Sequence, residues 1–291
     1  MIATPLSQLA LWAAATLTQG DGASLVTRVC TDTRALQAGD LFVALSGEQF
    51  DGHRFVAEAA RAGACGAVVR ADFTSEAEAS LPADFALIRV ADPLAALQAV
   101  ATAYRASRAS LRVVGITGSN GKTSTKDFTA AVLGSRFRVT KTEGNFNNHI
   151  GVPLTLLRVE AGDEAGVFEM GMNHEGEIAP LAAMAAPQVG IITNIGMAHI
   201  EFLGSREAIA REKGCLAEAL PADGVLVLPA EDDFVEALAR RTSATLLTAG
   251  IGCGTVCATV LETGLEGSRF QVRDTRAPGS AAVTVQLPVP G

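Results

Sequence analysis

The chain has 291 residues, 48% of them hydrophobic and 19% charged, and its 23 Lys+Arg against 31 Asp+Glu leave a formal net charge of −8. That balance offers nucleic acid no basic footprint, and the apolar fraction can bury a sizeable core, which argues against disorder. No apolar run reaches the roughly 20 residues of a membrane span, and at this length two domains are expected.

In chain order, Thr4-Pro5 ahead of Leu6, Leu9, Ala10 and Ala13 predicts a capped amphipathic helix. The first basic residue is Arg28, so this stretch lacks the positive flank of a signal peptide. Short apolar runs at 24–30, 40–45, 66–70 and 86–90 alternate with helical patterns near 53–63 and 93–107, which reads as a small α/β unit. Asp92-Pro93 is an N-cap followed by proline at the first helical position. The helix it opens runs to residues 106–108, and the domain boundary is placed there, giving domains 1–108 and 109–291.

Leu111 to Thr117 follows as a buried-strand pattern entering a glycine-rich turn and a helix from Lys122 to Leu133. Further strands are expected at 137–140, 165–169, 189–193, 224–228 and 244–248, mostly with helical patterns between them. That alternation implies a mainly parallel sheet covered on both faces. Three β-rich runs, 255–261, 268–273 and 282–287, have no helix between them and predict an antiparallel edge. The five cysteines are odd in number and scattered, which points to a cytosolic protein without a disulfide framework. Cys253 and Cys257 have no histidine near them and read as small core thiols rather than zinc ligands.

The chemistry-bearing segment is Thr117-Gly118-Ser119-Asn120-Gly121-Lys122-Thr123, placed where a strand ends and a helix begins. Consecutive backbone N–H groups and the helix dipole can hold a polyphosphate there. Lys122 would reach the β- and γ-phosphates of a nucleotide, and the Thr123 hydroxyl would ligate Mg²⁺. The pattern G-x-x-x-x-G-K-[ST] asks for glycine where this chain has Ile116, so the loop is a variant that keeps Gly118. Glu169, at the end of an expected strand, is the candidate second oxygen ligand on the ligand-binding edge of such a sheet. His199, after the next strand, is a further candidate metal ligand.

Four spaced motifs now resemble a known family: Thr117-Gly-Ser-Asn-Gly-Lys-Thr-Ser-Thr-Lys126, Gly144-Asn-Phe-Asn-Asn-His-Ile-Gly-Val-Pro-Leu154, Glu169-Met-Gly-Met-Asn-His-Glu-Gly-Glu177 and Thr193-Asn-Ile-Gly-Met-Ala-His-Ile-Glu201. They resemble the Mur ligases of peptidoglycan synthesis. Within that family they look like the branch that adds D-alanyl-D-alanine to UDP-N-acetylmuramoyl-tripeptide. At the front of the chain, Thr31-Asp-Thr-Arg34, Gly39-Asp-Leu-Phe-Val-Ala-Leu45 and Gly47-Glu-Gln-Phe-Asp-Gly-His53 resemble the UDP-binding domain of the later-acting members.

The resemblance implies an ATP-dependent amide ligase working through an acyl phosphate. Thr123 and Glu169 would hold one Mg²⁺, and His199 would help hold a second. Lys213, in Ile209-Ala-Arg-Glu-Lys213-Gly, matches the lysine that carries a carbamate in this family, which would make it an anionic ligand for the second ion. Lys122, His199 and Lys213 are thus the catalytic candidates. Asn145 and Asn148 suit contact with phosphates or the substrate carboxylate, or else plain turn chemistry. Arg34 and the loop Ser46-Gly47-Glu48 are candidates for contacting UDP. The chain stops at Leu287-Pro-Val-Pro-Gly291, before the Pro-Gly-Arg-His-Asn stretch that usually leads into the family's third domain. The expectation is two domains of a three-domain ligase. The alternatives are a folate-polyglutamylating relative, against which the uridine-type front domain argues, or a non-catalytic module that binds UDP-sugar or nucleotide.

Overall fold

The computed structural model describes residues 1–74, 81–277, 279 and 281–288. Contacts within the chain divide it into one unit of Met1–Leu111 with Leu133–Gly166, and another of Arg112–Val132 with Val167–Gly291. The sequence boundary at residue 108 places 133–166 with the second domain, whereas contacts group it with the first.

The first unit opens with β1 (Thr4–Pro5), α1 (Leu6–Trp12), β2 (Thr16–Gln19), β3 (Leu25–Val26), β4 (Val29–Cys30) and β5 (Leu41–Val43). The hairpin β6 (Ser46–Gly47) and β7 (Phe50–Asp51), α2 (Val56–Arg61), β8 (Gly66–Arg70), β9 (Ala86–Val90) and α3 (Pro93–Ser107) follow. Its sheet runs β2-β9-β8-β5-β4, parallel except for β2. Phe42, Val69, Phe85 and Leu87 pack with Val56 and Ala59 of α2 as its core.

Two expectations need correction here. Thr4-Pro5 does not cap α1: the pair bridges Leu25 and Val26 as an extended strand, Pro5 takes the N-cap position, and the Thr4 hydroxyl donates to the Ile2 carbonyl. The run 24–30 is two strands, not one. β3 pairs with β1 and β4 with β5, and between them the Arg28 guanidinium turns to the buried Asp40 carboxylate and to the Ala35 carbonyl. The helix expected over 53–63 begins as a 3₁₀ turn, Gly52–Phe55, because the Asp51 carboxylate caps it at the His53 N–H. Asp92 caps α3 through the Leu94 N–H, with Pro93 in the first turn, as its sequence requires.

The strand β11 (Val139–Lys141) and the fully buried helix α5 (Gly151–Leu156) also fall in this unit, α5 packing on α3. Gln98 Nε2 donates to the His149 carbonyl at 3.0 Å, and the Tyr104 hydroxyl donates to the Val159 carbonyl while accepting the Ile2 N–H at 2.8 Å. Tyr104 therefore joins the first residues of the chain to the segment after α5.

The second unit contains β10 (Arg112–Thr117), α4 (Lys122–Gly134), the end of β12 (Ala165–Glu169), α6 (Ile178–Ala185), β13 (Val189–Ile192), α7 (Ile200–Leu203), α8 (Arg206–Lys213) and α9 (Cys215–Glu218). After these come β14 (Val225–Pro229), α10 (Val235–Ala239), β15 (Thr245–Ile251), β16 (Val256–Gly264), β17 (Gly267–Asp274) and β18 (Val283–Leu287). The strands follow the order β12-β10-β13-β14-β15-β16-β17-β18. Pairing from β10 through β13, β14 and β15 to β16 is parallel, and β16, β17 and β18 form the expected antiparallel edge. All of β12 and all but the first residue of β10 are buried, as befits strands covered on both faces. Val289-Pro-Gly291, the end of the stretch singled out in the sequence, lies outside the described residues.

Tyr104 is 2% exposed, so Tyr104→Phe strands a buried carbonyl and a half-buried amide at once. We expect the variant to lose about 1–3 kcal/mol of stability, read as a lower denaturant midpoint at unchanged slope.

Candidate active site

Strand β10 ends at Thr117 and helix α4 begins at Lys122, so the five-bond turn between them carries the loop. Thr117 is wholly buried and its hydroxyl donates to the Met170 carbonyl at 2.9 Å, which fixes the loop's entry against the end of β12. Ser119 N–H donates to the Asn194 carbonyl and Asn120 N–H to the Asn194 side-chain oxygen, while Asn194 Nδ2 and Thr193 Oγ1 donate back to the Asn120 carbonyl. Gly196 N–H donates to Ser119 Oγ at 2.9 Å. The segment after β13 thus cradles the turn from one side.

Gly118 explains the departure from the usual glycine spacing. Its φ is +147°, and a Cβ there would lie 1.8 Å from Thr193 Oγ1. Ile116, where the common pattern has glycine, is instead fully buried in β10. The residue without a side chain moves to the position where the loop meets Thr193, and the core gains an isoleucine. Gly121 holds φ +77° at the entry to α4.

Two lysines meet on one carbonyl. Lys122 Nζ donates to the Gly118 oxygen at 2.9 Å and to the Ser119 oxygen at 3.3 Å, and Lys213 Nζ, from the end of α8, donates to the same Gly118 oxygen at 3.0 Å. Burial lowers the pKa of Lys122, with Glu169 opposing. Burial also lowers Lys213, to about 7, helped by the Lys122 charge and opposed by Glu212. Beside them, Thr123 Oγ1 donates to Glu169 Oε2 at 3.0 Å, and Lys126 Nζ stands 4.0 Å from that same oxygen.

Thr117, Gly118, Ser119, Asn120, Gly121, Lys122, Thr123, Glu169 and Lys213 are therefore gathered around one turn. His199 sits after β13 in a left-handed conformation (φ 65°) ahead of α7, half-buried, and among the described residues its ring makes no hydrogen bond or ion pair. No three His, Cys, Asp or Glu side chains form a ready metal cluster among the described residues. The hydroxyl of Thr123 and the carboxylate of Glu169 are nevertheless hard oxygen donors of the kind Mg²⁺ takes when phosphates complete its shell.

The remaining candidates belong to the first unit. Asn148 Oδ1 accepts the N–H groups of Ile150 and Gly151 and its carbonyl accepts that of Val152, so it caps α5: the turn chemistry is realised. Asn145 is exposed in the preceding turn. Arg34 lines a cavity of about 460 Å³ with Asp32, Glu58 and the stacked rings of Phe50 and Phe55, whose centroids are 5.5 Å apart. Its guanidinium is held by Asp32, at 2.9 Å through Nε and 2.7 Å through the terminal nitrogen. Ser46 and Gly47 form the first strand of the neighbouring hairpin, and Ser46 Oγ donates to Asp51 Oδ1 at 2.9 Å. Burial pushes the Asp51 carboxyl up, but hydrogen bonds from the His53 amide, the His53 ring and Ser46 hold it down at about 2. His53 Nε2 accepts the Arg70 N–H at 2.9 Å, so its ring proton is on Nδ1, toward Asp51.

Residues 116–291 match the Mur ligase middle domain, and residues 25–105 match the Mur ligase family, catalytic domain. The chain belongs to the Mur ligase family. It is 46% identical over 213 residues to a UDP-N-acetylmuramoyl-tripeptide--D-alanyl-D-alanine ligase of Bacillus subtilis, covering 73% of this chain and 45% of that protein. With the Escherichia coli protein of the same name the identity is 40% over 205 residues, covering 70% and 43%. A crystal structure of MurF from Acinetobacter baumannii superposes with a TM-score of 0.88 at 32% identity, over 99% of this chain and 61% of that one. A MurF ligase from Thermotoga maritima in complex with ADP gives 0.76 at 30% identity, over 90% and 58%. The chain spans about half the length of the curated relatives it matches. No helix among the described residues is long and apolar enough to cross a membrane.

Around this turn, sequence reasoning left four contributors unassigned. Thr193 and Asn194 lay in a quoted motif, but their bonds to the loop arise from strand pairing between β10 and β13, across more than 70 residues. Lys126 gave the one available signal: it follows Thr123 by three positions and so shares a helix face with it. Glu212 gave none; its buried carboxylate accepts the Gly176 and Ile178 N–H groups at 2.9 and 2.7 Å and fastens α8 to the start of α6.

Gly118→Ala tests the loop. The added methyl must displace Thr193 or the turn, so nucleotide affinity should fall by about five- to 150-fold, as a strain of about 1–3 kcal/mol implies. Calorimetric titration with ADP reads this, and a melting curve close to the parent's would place the effect in the loop rather than the fold.

Proposed function

We propose that this chain is the substrate- and phosphate-binding part of an ATP-dependent amide ligase that joins D-alanyl-D-alanine to UDP-N-acetylmuramoyl-tripeptide in cytoplasmic peptidoglycan precursor synthesis. The observation that carries the reading is the convergence of Lys122 and Lys213 on the Gly118 carbonyl, from two elements 91 positions apart. Phosphate binding alone would be served by Lys122; a second buried lysine at the same atom suits a site that handles a transferring phosphoryl group. The names of the similar proteins supply the substrates. The cavity beside Arg34, with its stacked phenylalanines, suits a flat base, and we assign the UDP end to it, with Ser46 and Gly47 contributing through the hairpin that carries Phe50.

In the proposed reaction a carboxylate oxygen of the tripeptide attacks the γ-phosphorus of ATP and ADP leaves. The amine nitrogen of D-alanyl-D-alanine then attacks the acyl carbon, an amide forms and phosphate leaves. Lys122 offsets charge on the phosphoryl oxygens, and the loop amides orient them. Thr123 and Glu169 would hold a Mg²⁺, and His199 with Lys213 would hold a second; bound there, such ions neutralise the oxygens between which phosphate passes. Asn145 and Asn148 are assigned to the substrate side, with the Asn148 backbone and cap shaping that turn. Lys213 would become an anionic ligand when its neutral amine adds to CO₂, forming an N–C bond and releasing a proton.

The assignment of the loop is tested by phosphate release from ATP with the UDP-linked tripeptide, with and without D-alanyl-D-alanine, in a chain as long as its relatives. Release that depends on both substrates is expected. Lys122→Ala should lower it on the order of a hundredfold or more, and unchanged turnover would remove Lys122 from the chemistry.

The carbamate has its own pH signature. Because burial, the Lys122 charge and, in opposition, Glu212 leave the Lys213 amine at about 7 rather than 10.5, its neutral fraction grows as pH rises through 7. With ¹³C-labelled bicarbonate, a carbamate resonance should therefore grow between about pH 6 and 8 and be missing in Lys213→Arg. A resonance that persists in the variant would assign the modification elsewhere.

A further inference from the structure

Lys126 is not needed to explain phosphate binding, yet it is 3% exposed, and a lysine is buried this completely only when it is paired. Its Nζ stands 4.0 Å from Glu169 Oε2, whose residue is 2% exposed, and 3.6 Å from the half-exposed carboxylate of Asp127. Replacing such a buried pair by apolar side chains is often neutral or stabilising, so stability gives little reason for it at the ligand-binding edge of a parallel sheet.

The geometry suggests the reason. At 4.0 Å the ammonium is beyond hydrogen-bonding distance from Oε2, so it balances the carboxylate's charge without occupying that oxygen, while the Thr123 hydroxyl donates to the same atom at 3.0 Å. Thr123 and Lys126 reach it from one face of α4, three residues apart. A divalent cation arriving at Thr123 and Glu169 would meet a fixed positive charge already in place.

We propose that Lys126 is a built-in counter-ion that balances Glu169 before a metal arrives and then, by like-charge repulsion, sets an upper limit on how tightly the Thr123–Glu169 site takes a divalent cation. This rests on the reading of Thr123 and Glu169 as metal-holding residues. A weak grip suits an ion that enters and leaves with each nucleotide.

The test uses Mn²⁺ as the probe, with ADP, on the 291-residue chain, counting free Mn²⁺ by electron paramagnetic resonance. Lys126→Met should bind Mn²⁺ roughly threefold to tenfold more tightly than the parent, the scale of losing one nearby like charge in a partly screened site. Lys126→Arg, which keeps the charge, should match the parent. If Lys126→Met is poorly folded without metal, its melting midpoint should rise more on adding Mn²⁺ than the parent's does. Unchanged or weaker Mn²⁺ affinity, or an equal or smaller rise in midpoint, overturns the role of Lys126. Glu169→Gln separates the two failures: Mn²⁺ binding that survives this change refutes the metal reading, and the proposal with it.

Discussion

One carbonyl oxygen organises the glycine-rich loop between β10 and α4. Gly118 presents it to Lys122 from the loop's own helix and to Lys213 from the end of α8, and it can do so only because it has no side chain to drive against Thr193. The positive φ, the missing Cβ and the two amines form a single arrangement: were the turn to shift, both lysines would lose a partner together. Amines this close repel one another in a buried setting, and that repulsion, added to desolvation, is what makes Lys213 so much weaker a base than a surface lysine. The loop is in this sense prepared for anionic oxygens, which would satisfy both charges better than a carbonyl does.

The parts of this site that sequence could disclose are those made by neighbours in the chain. Strand, glycine turn and helix lie within Leu111 to Leu133, so the loop and the roles open to Lys122 and Thr123 follow from spacing and periodicity alone. Glu169 was legible because a buried apolar run ended on a carboxylate. Lys213 was legible only through resemblance, since Ile209-Ala-Arg-Glu-Lys213 looks by itself like any amphipathic helix with a solvated end. Glu212 was illegible: nothing in its vicinity announces that its carboxylate turns inward to cap another helix. The same limit acts in the fold. The run 24–30 changes strand partner at Arg28 because of an aspartate 12 positions on, and residues 133–166 join the first unit through Gln98 and Tyr104, contacts that no local pattern carries.

The two units treat charge differently. In the first, the part-exposed Asp51 is held ionised by short-range donors from Ser46 and His53, a network in which the imidazole bridges a carboxylate and a backbone amide. Such an arrangement fixes shape, and it lies next to a cavity floored by aromatic rings. In the second, Lys122 and Lys126 flank the Glu169 carboxylate, with Asp127 beside Lys126 and Glu212 beside Lys213, so charge is offset by opposite charge where the sheet ends.

Glu212 and Lys213 are consecutive residues that point to opposite duties. The first is bolted to the amides that open α6, and the second touches the loop at Gly118, while just beyond them Arg241 grips the carbonyls of Ala210 and Arg211. An α-helix turns by about 100° per residue, so α8 has one rotational setting in which all these contacts hold together. Its phase is locked at both sides of the last turn. Chain length between Ser205 and Gly214 is therefore a conserved quantity in a mechanical sense, because a single inserted or deleted residue would swing the amine away from the loop and the carboxylate out of its socket in the same movement.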